Sequence, residues 1–380
     1  MLVAMVGQKG IPASIGGVER YVEELAAQLP KYGIESLVYT RPWYVAARAD
    51  YKPPPGVRTV KLPTIPTKHL DTISHVLACV ADLAEQHEVD VVHVHCIGPA
   101  LVAPALRLLR LPVVVTVQGL DWRREKWGAV ARRTLRAGEW LASRFAQRLV
   151  VVSPALVQYF EEHYGIRPLY VPNAARAFPY RPPNRIRQLG LEPRKFVLSC
   201  ARLVPEKGVH LLIEAFRAAP SGWKLAVAGS SLYDARYERS LRAAADERVV
   251  FTGAAGPELL AELYHHAALF VLPSMIEGMS LALLEAMQHG LPCLVSDIPE
   301  NAAVIAHPLG QFRAGSSVDL ERSLLQLLRD EQARRELAQY ARREAPRYTW
   351  DAVAESMARI YREVAVEAGR VSEAAAVPVG

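Results

Sequence analysis

Cysteine is scarce in this 380-residue chain, and the four present, Cys79, Cys96, Cys200 and Cys293, fall at no spacing that ligates a metal or builds a disulfide framework. They are expected to be small core residues. No D-x-D pair occurs anywhere. Long apolar runs are missing too: the best candidate for a bilayer span, residues 101–120, is broken by Arg107 and Arg110. The opening MLVAMVGQKG lacks a basic leader and a small-residue cleavage site, and reads as the first strand of a cytoplasmic protein. Acidic excess is absent. The net charge of +6 favours anionic partners without separating phosphate ligands, anionic lipid and nucleic acid, and nothing beyond charge points to nucleic acid.

What is abundant is apolar side chains, 51% of residues against 22% charged, enough to fill two cores. Short β-rich runs alternate with helical stretches: LVAMVG (2–7), SLVYT (36–40), VDVVHVH (89–95), PVVVTV (112–117), RLVVV (148–152) and PLYVP (168–172). Continuous apolar strands between helices predict a parallel sheet covered on both faces. RAFPYRPPNRIRQLGLEPRK (176–195) is rich in Pro and Arg and reads as a linker. The alternation then restarts with FVLSC (196–200), WKLAVAG (223–229), RVVFTG (248–253), ALFVLP (268–273) and LPCLVS (291–296). The expected fold class is α/β, with two doubly wound, Rossmann-like domains, 1–175 and 196–345, facing across a cleft at the carboxyl ends of their strands. Helical 350–366 is expected to return to the first domain, and 367–380 to fray.

Three strand-end loops carry candidate chemistry. GQKGIPASIGGVERYVEELAAQL sets Gly7, Gly10, Gly16 and Gly17 ahead of a helix expected from near Val18, where backbone amides and the helix end favour an anion. The spacing is neither G-x-G-x-x-G nor a Walker A sequence, so a plain strand-to-helix loop stands beside that reading. In ARLVPEKGVHLLIEAF, Arg202 and Lys207 precede a helix, placed to clamp a diphosphate or to be ordinary surface charges. In IEGMSLALLEAM, Glu277 lies at a strand end, a helix begins near Ser280, and Glu285 follows about 8 Å along its axis. Among apolar neighbours Glu285 needs a hydrogen-bonding partner, unless it faces solvent, the more ordinary arrangement for a lone Glu.

These blocks, with QGLDWRREKWG and PSMIEGMSLALLEAMQHGLPCLVSDIPEN, resemble the retaining glycosyltransferases of family four with the GT-B fold, in a bacterial subgroup tied to polysaccharide or rhamnosyl transfer. The resemblance implies that Glu285 binds the ribose hydroxyls of a nucleotide sugar, UDP-linked by default, and Glu277 the hydroxyls of its sugar. Arg202 and Lys207 would neutralise the diphosphate, with Gly16, Gly17, Gly278 and the amides of Met279, Ser280 and Leu281 nearby. It also implies retention, with the leaving phosphate accepting the acceptor's proton. Cations aimed at that phosphate lower the barrier to its departure. Without D-x-D, no metal or other cofactor is expected.

One position departs from the family. Its histidine after the fourth strand is replaced by Gln118, which carries no proton charge near neutrality; His93 and His95, which alternation puts on one face, are the nearest alternatives, with a core-edge place equally open to His95 and favoured for His93, and Asp121 is a further candidate beside Gln118 and His95 on the acceptor and sugar side. Between Trp122 and Arg148, eight basic residues oppose two acidic ones, and Trp127, Val130, Ala131, Leu135, Leu141, Ala142 and Phe145 are expected to pack inward. The basic face is a candidate contact with anionic membrane at the inner face of the cell membrane, suiting a lipid-linked acceptor; a solvated face is the alternative. An epimerase or hydrolase on the same scaffold, and a non-catalytic binder, stay open beside a transferase acting on a glycan, lipid-linked or small-molecule acceptor.

Overall fold

The structure is a computed structural model that describes residues 1–14, 16–46, 50–67, 70–124, 127–231 and 235–372. Contacts divide it into unit 1, Met1–Asn173 with Trp350–Gly380, and unit 2, Ala174–Thr349. Each unit is a parallel sheet. Unit 1 holds β1 (Leu2–Val6), β2 (Glu35–Thr40), β3 (Val57–Lys61), β4 (Val91–His95), β5 (Val113–Val117), β6 (Arg148–Val151) and β7 (Leu169–Tyr170), in the order β3-β2-β1-β4-β5-β6-β7. Unit 2 holds β8 (Phe196–Cys200), β9 (Lys224–Ala228), β10 (Val249–Gly253), β11 (Leu269–Leu272), β12 (Cys293–Ser296) and β13 (Gln311–Phe312), in the order β10-β9-β8-β11-β12-β13. In both sheets the order turns back beside the first strand of the unit. The helices that follow the two strands flanking such a reversal pack on opposite faces of the sheet, and α/β sheets bind ligands at the carboxyl ends of those strands.

Burial follows the composition of the strands. β1, β4 and β5 are buried at every residue, as helices on both faces require. β3, VRTVK, alternates polar residues and lies at the sheet edge, half-exposed; it was not among the expected strands because only two of its residues are strongly apolar. β13 is two residues long and carries no usable pattern.

The segment 176–195 is not a free linker. It belongs to unit 2, where Ile186 and Leu191 are buried and the Glu262 carboxylate accepts the Arg185 and Ile186 N–H groups at 2.7 and 3.1 Å, tying down the short Asn184–Gln188 helix. Its arginines and prolines conceal three apolar anchors, Phe178, Ile186 and Leu191. The Trp350–Glu367 helix packs on unit 1 against the Gly17–Gln28 helix, β4 and β5. Of the expected frayed tail, residues 373–380 lie outside the described residues. Among the described residues, no helix is long and apolar enough to cross a membrane.

Two positions of unit 1 show how packing constrains the sequence. Gly138, in the Ala129–Phe145 helix, faces the loop after β4, and a Cβ there would lie 2.1 Å from the Ile97 carbonyl oxygen. His93 and His95 alternate onto the face covered by the Gly17–Gln28 and Trp350–Glu367 helices, their rings 3.9 Å apart. His93 is satisfied by Thr116 Oγ1 at 2.7 Å and the Tyr361 hydroxyl at 2.6 Å. His95 is fully buried between Tyr21 and the sheet, and neither of its ring nitrogens meets a partner among the described residues. Of the two places open to His95, acceptor side or core, it takes the core, because the helix that carries Tyr21 covers the face onto which alternation turns it.

Burial disfavours the charged imidazole, lowering His95 to about 3 and His93 well below the ordinary value. The unfolded chain binds these protons near pH 6.5 and the folded chain does not, so stability is full above that pH and falls as pH drops below it. His95→Leu should lower the pH slope of unfolding free energy by about 1.4 kcal/mol per unit between pH 5.5 and 4; denaturant midpoints against pH check this, and an unchanged slope contradicts it. Gly138→Ala should cost about 1–3 kcal/mol through overpacking against backbone, read as a lowered Tm.

Candidate functional site

The sheet reversal in unit 2 lies between β8 and β11, and the loops leaving these two strands meet. Gly208 makes their approach possible: its φ is 67°, and a Cβ would stand 2.0 Å from the Pro273 carbonyl oxygen. A backbone bond from Met275 N–H to the Glu206 carbonyl at 2.9 Å joins the loops again. These contacts bring Lys207, at the end of the Pro205–Lys207 turn, to Glu277, with Nζ to Oε1 2.5 Å and side chains 15% and 7% exposed. Two residues expected to grip different parts of one ligand are thus in direct contact. An ammonium has three donors and a carboxylate two acceptor oxygens, so one shared bond exhausts neither.

The Glu277 loop is braced from behind. The Ser296 hydroxyl donates to the Ser274 carbonyl, and Asn301 Nδ2 donates to Ser296 Oγ at 3.0 Å, all buried. Sequence reading passed over Ser296 and Asn301 because small polar residues after a strand carry no periodic signal. Gly278 and Met279 are buried, and the Leu281–Gln288 helix begins where the sequence placed it, with Ser280 capping it by accepting the Leu283 N–H at 3.4 Å. Arg202 is half-buried in the β8 loop, its carbonyl accepting the Val204 N–H at 3.0 Å.

Glu285 does not face solvent. It is 2% exposed, and its Oε2 accepts a hydrogen bond from the Tyr264 hydroxyl at 2.9 Å. Burial beside this carboxylate pushes the Tyr264 phenol well up, so it stays a proton donor. Tyr264 belongs to a three-ring cluster with Phe178 and His289, whose centroids are 5.9 and 5.4 Å from its own and 5.7 Å from each other. The carboxylate is therefore fixed in position by a rigid aromatic group.

In unit 1 the glycine loop is shaped by close backbone approach. Gly7 and Gly10 have φ of 107° and 145°, and Cβ atoms there would meet the His95 carbonyl oxygen at 2.5 Å and Thr40 at 2.8 Å. Gly16, with φ 120°, precedes the helix, which begins at Gly17, one residue before the expected Val18; Ile15 lies outside the described residues. The helix's own acids hold the loop: Glu19 accepts the Lys9 N–H at 3.1 Å and Glu23 the Ala13 N–H at 3.2 Å. Sequence reading missed Glu19, which is buried. Its negative charge already occupies the positive end of this helix.

At the end of β5, Gln118 is half-buried, and its Nε2 is enclosed without a partner among the described residues. Asp121 pairs with Arg124 at 3.0 Å. The next residue, Trp122, donates its Nε1–H to Glu139 at 2.7 Å, and that buried carboxylate also accepts the Tyr159 and Tyr164 hydroxyls at 2.7 and 2.6 Å. Three neutral donors converge on one acid, which pins the Gln118–Trp122 loop.

Residues 15–175 match the Glycosyltransferase Family 4 model, and residues 183–344 match that of Glycosyl transferases group 1. A serotype-specific mannosyltransferase of Escherichia coli is 31% identical over 166 residues, 42% of this chain, and the chain spans only a fifth (20%) of that protein's length. The D-inositol 3-phosphate glycosyltransferase of Rhodococcus erythropolis is 27% identical over 387 residues, covering 92% of this chain and 87% of that protein. Among solved structures, sucrose-phosphate synthase from Thermosynechococcus elongatus superimposes with a TM-score of 0.82 at 22% identity, over 96% of this chain and 98% of that one. Anabaena HepE, in complex with UDP and glucose, gives 0.78 at 20% identity, over 96% and 100%. Matched along both halves, the chain belongs to the family-four glycosyltransferases and has the GT-B fold.

Proposed function

We propose that this chain transfers a sugar from a nucleoside diphosphate sugar, UDP-linked by default, to a glycan, lipid-linked or small-molecule acceptor, with retention of anomeric configuration and without a metal. The observation that carries the reading is the Lys207–Glu277 contact at the sheet reversal of unit 2, with Arg202 in the same loop and Glu285 buried on the helix that follows. UDP and glucose in the related HepE fold support the donor class.

The chemistry follows from charge development. As the anomeric C–O bond breaks, negative charge collects on the departing diphosphate, where Lys207, Arg202 and the amides at the start of the Leu281–Gln288 helix stabilise it. Glu277 fixes the Lys207 ammonium and offers an oxygen to sugar hydroxyls. Glu285, oriented by Tyr264, accepts from the ribose diol. The departing phosphate takes the acceptor's hydroxyl proton, so no protein imidazole is required at Gln118. The arginine-rich segment 122–148 faces an anionic membrane at the inner face of the cell membrane, which suits a lipid-linked acceptor; Glu125 and Lys126 of that segment lie outside the described residues.

Turnover of a nucleotide-sugar panel with glycan and lipid-linked acceptors tests the reading. Lys207→Ala should lower kcat by about 10²-fold, while Glu285→Ala should chiefly raise the donor KM; unchanged kinetics in both, or donor hydrolysis indifferent to acceptor, would overturn it. Activity should survive a chelator in excess, and its loss with recovery on adding a divalent cation would refute the metal-free part.

A further inference from the structure

The Leu70–Glu85 helix turns an uncharged stripe outward. Its exposed positions are Leu70, Ile73, Leu77, Ala81 and Ala84, with no charge before Glu85, and Leu77 is 56% exposed. A helix on a water-facing surface shows charged and polar residues there instead. The stripe continues into the loops after β2 and β3. Trp43 is bound to the helix through its Nε1–H to Asp71 at 2.9 Å, and Ile65 through its N–H to Ser74 Oγ at 2.9 Å; both present exposed apolar surface.

The same side of unit 1 carries the arginine-rich helix. The β3-to-β4 and β5-to-β6 crossovers step in one direction along the sheet, opposite to β1-to-β2, so right-handed connections put Leu70–Glu85 and Ala129–Phe145 on one face. The Pro99–Val102 turn packs against both helices. Of the residues expected to pack inward, Ala142 is buried and Trp127, Ala131, Leu135, Leu141 and Phe145 are half-buried, but Val130 is 78% exposed and Trp140 is exposed with it; Gly138 and Glu139 join Ala142 on the inward side. Arg132, Arg133 and Arg144 share the outward side of this helix, and Arg107 and Leu108 adjoin Arg144.

We infer that this face of unit 1 docks on an anionic phospholipid bilayer, with the Leu70–Leu77 stripe and the two tryptophans seated at the acyl boundary and the arginines on the headgroups. Apolar side chains beside cations, with tryptophan at the margin, are what an interfacial helix uses. Charge selects the lipid over a second copy of this chain, whose own arginines would be set against these if the same face were shared. The inference deepens the membrane reading above and extends it from one helix to a two-helix face; it does not require the transfer reaction.

Co-sedimentation with vesicles of phosphatidylcholine alone and with phosphatidylglycerol added tests it, alongside donor binding in solution. The full chain should bind the anionic vesicles at least tenfold more strongly, and less at high salt. The triple variant Leu70→Gln, Ile73→Gln, Leu77→Gln should lose a further tenfold or more with its Tm and donor affinity unchanged. Arg132→Gln with Arg133→Gln and Arg144→Gln should abolish the preference for anionic lipid. Equal vesicle binding by the triple variant and the parent, no binding by the parent, or a concentration-dependent dimer that the triple variant abolishes would each overturn the docking face. Loss of donor binding in the parent would instead count against the proposed function alone.

Discussion

The contact between Lys207 and Glu277 is the constraint on which the site in unit 2 rests. Neither residue is near the other in sequence, and neither alone would be more than a surface charge. They meet because the strand order reverses between β8 and β11, and because Gly208 lets one loop lie against the Pro273 carbonyl of the other. Both side chains are largely buried, and in the proposed transfer a cation held in this way would meet a departing anion with little reorganisation. Behind it, the Ser274–Ser296–Asn301 chain fixes the backbone that carries Glu277.

Much of this was legible in the sequence. Continuous apolar strands such as LVAMV and VVVTV announced parallel sheets, and a serine ahead of an apolar run marked the start of the Leu281–Gln288 helix. What escaped were features set by tertiary neighbours. Glu285 sits among leucines, and only the placement of Tyr264 decides that it is buried and bonded. His95 carries a side chain common at active sites, yet strand alternation hides it under the Trp350–Glu367 helix, which is far away in sequence. The 176–195 segment was misread because Pro and Arg dominate its composition, while three buried apolar residues, Phe178, Ile186 and Leu191, and one distant acid, Glu262, tie it to unit 2.

Acids recur as internal organisers. Glu19 and Glu23 hold the glycine loop of unit 1, Glu139 gathers Trp122, Tyr159 and Tyr164, and Glu262 caps a short helix in unit 2. In each case a carboxylate satisfies N–H or O–H donors that a buried loop would otherwise leave unmade, at a cost that a single hydrophobic replacement would expose. At these points the loops are held by side-chain hydrogen bonds, although the first of them is rich in glycine.

The most direct measurement is a double-mutant cycle on UDP affinity by calorimetry, using Lys207→Ala, Glu277→Ala and the pair together. If the two side chains act as one diphosphate-directed unit, the losses will be strongly non-additive, with a coupling above about 1 kcal/mol. Additive losses, or UDP affinity untouched by either change, would contradict the role given to this pair.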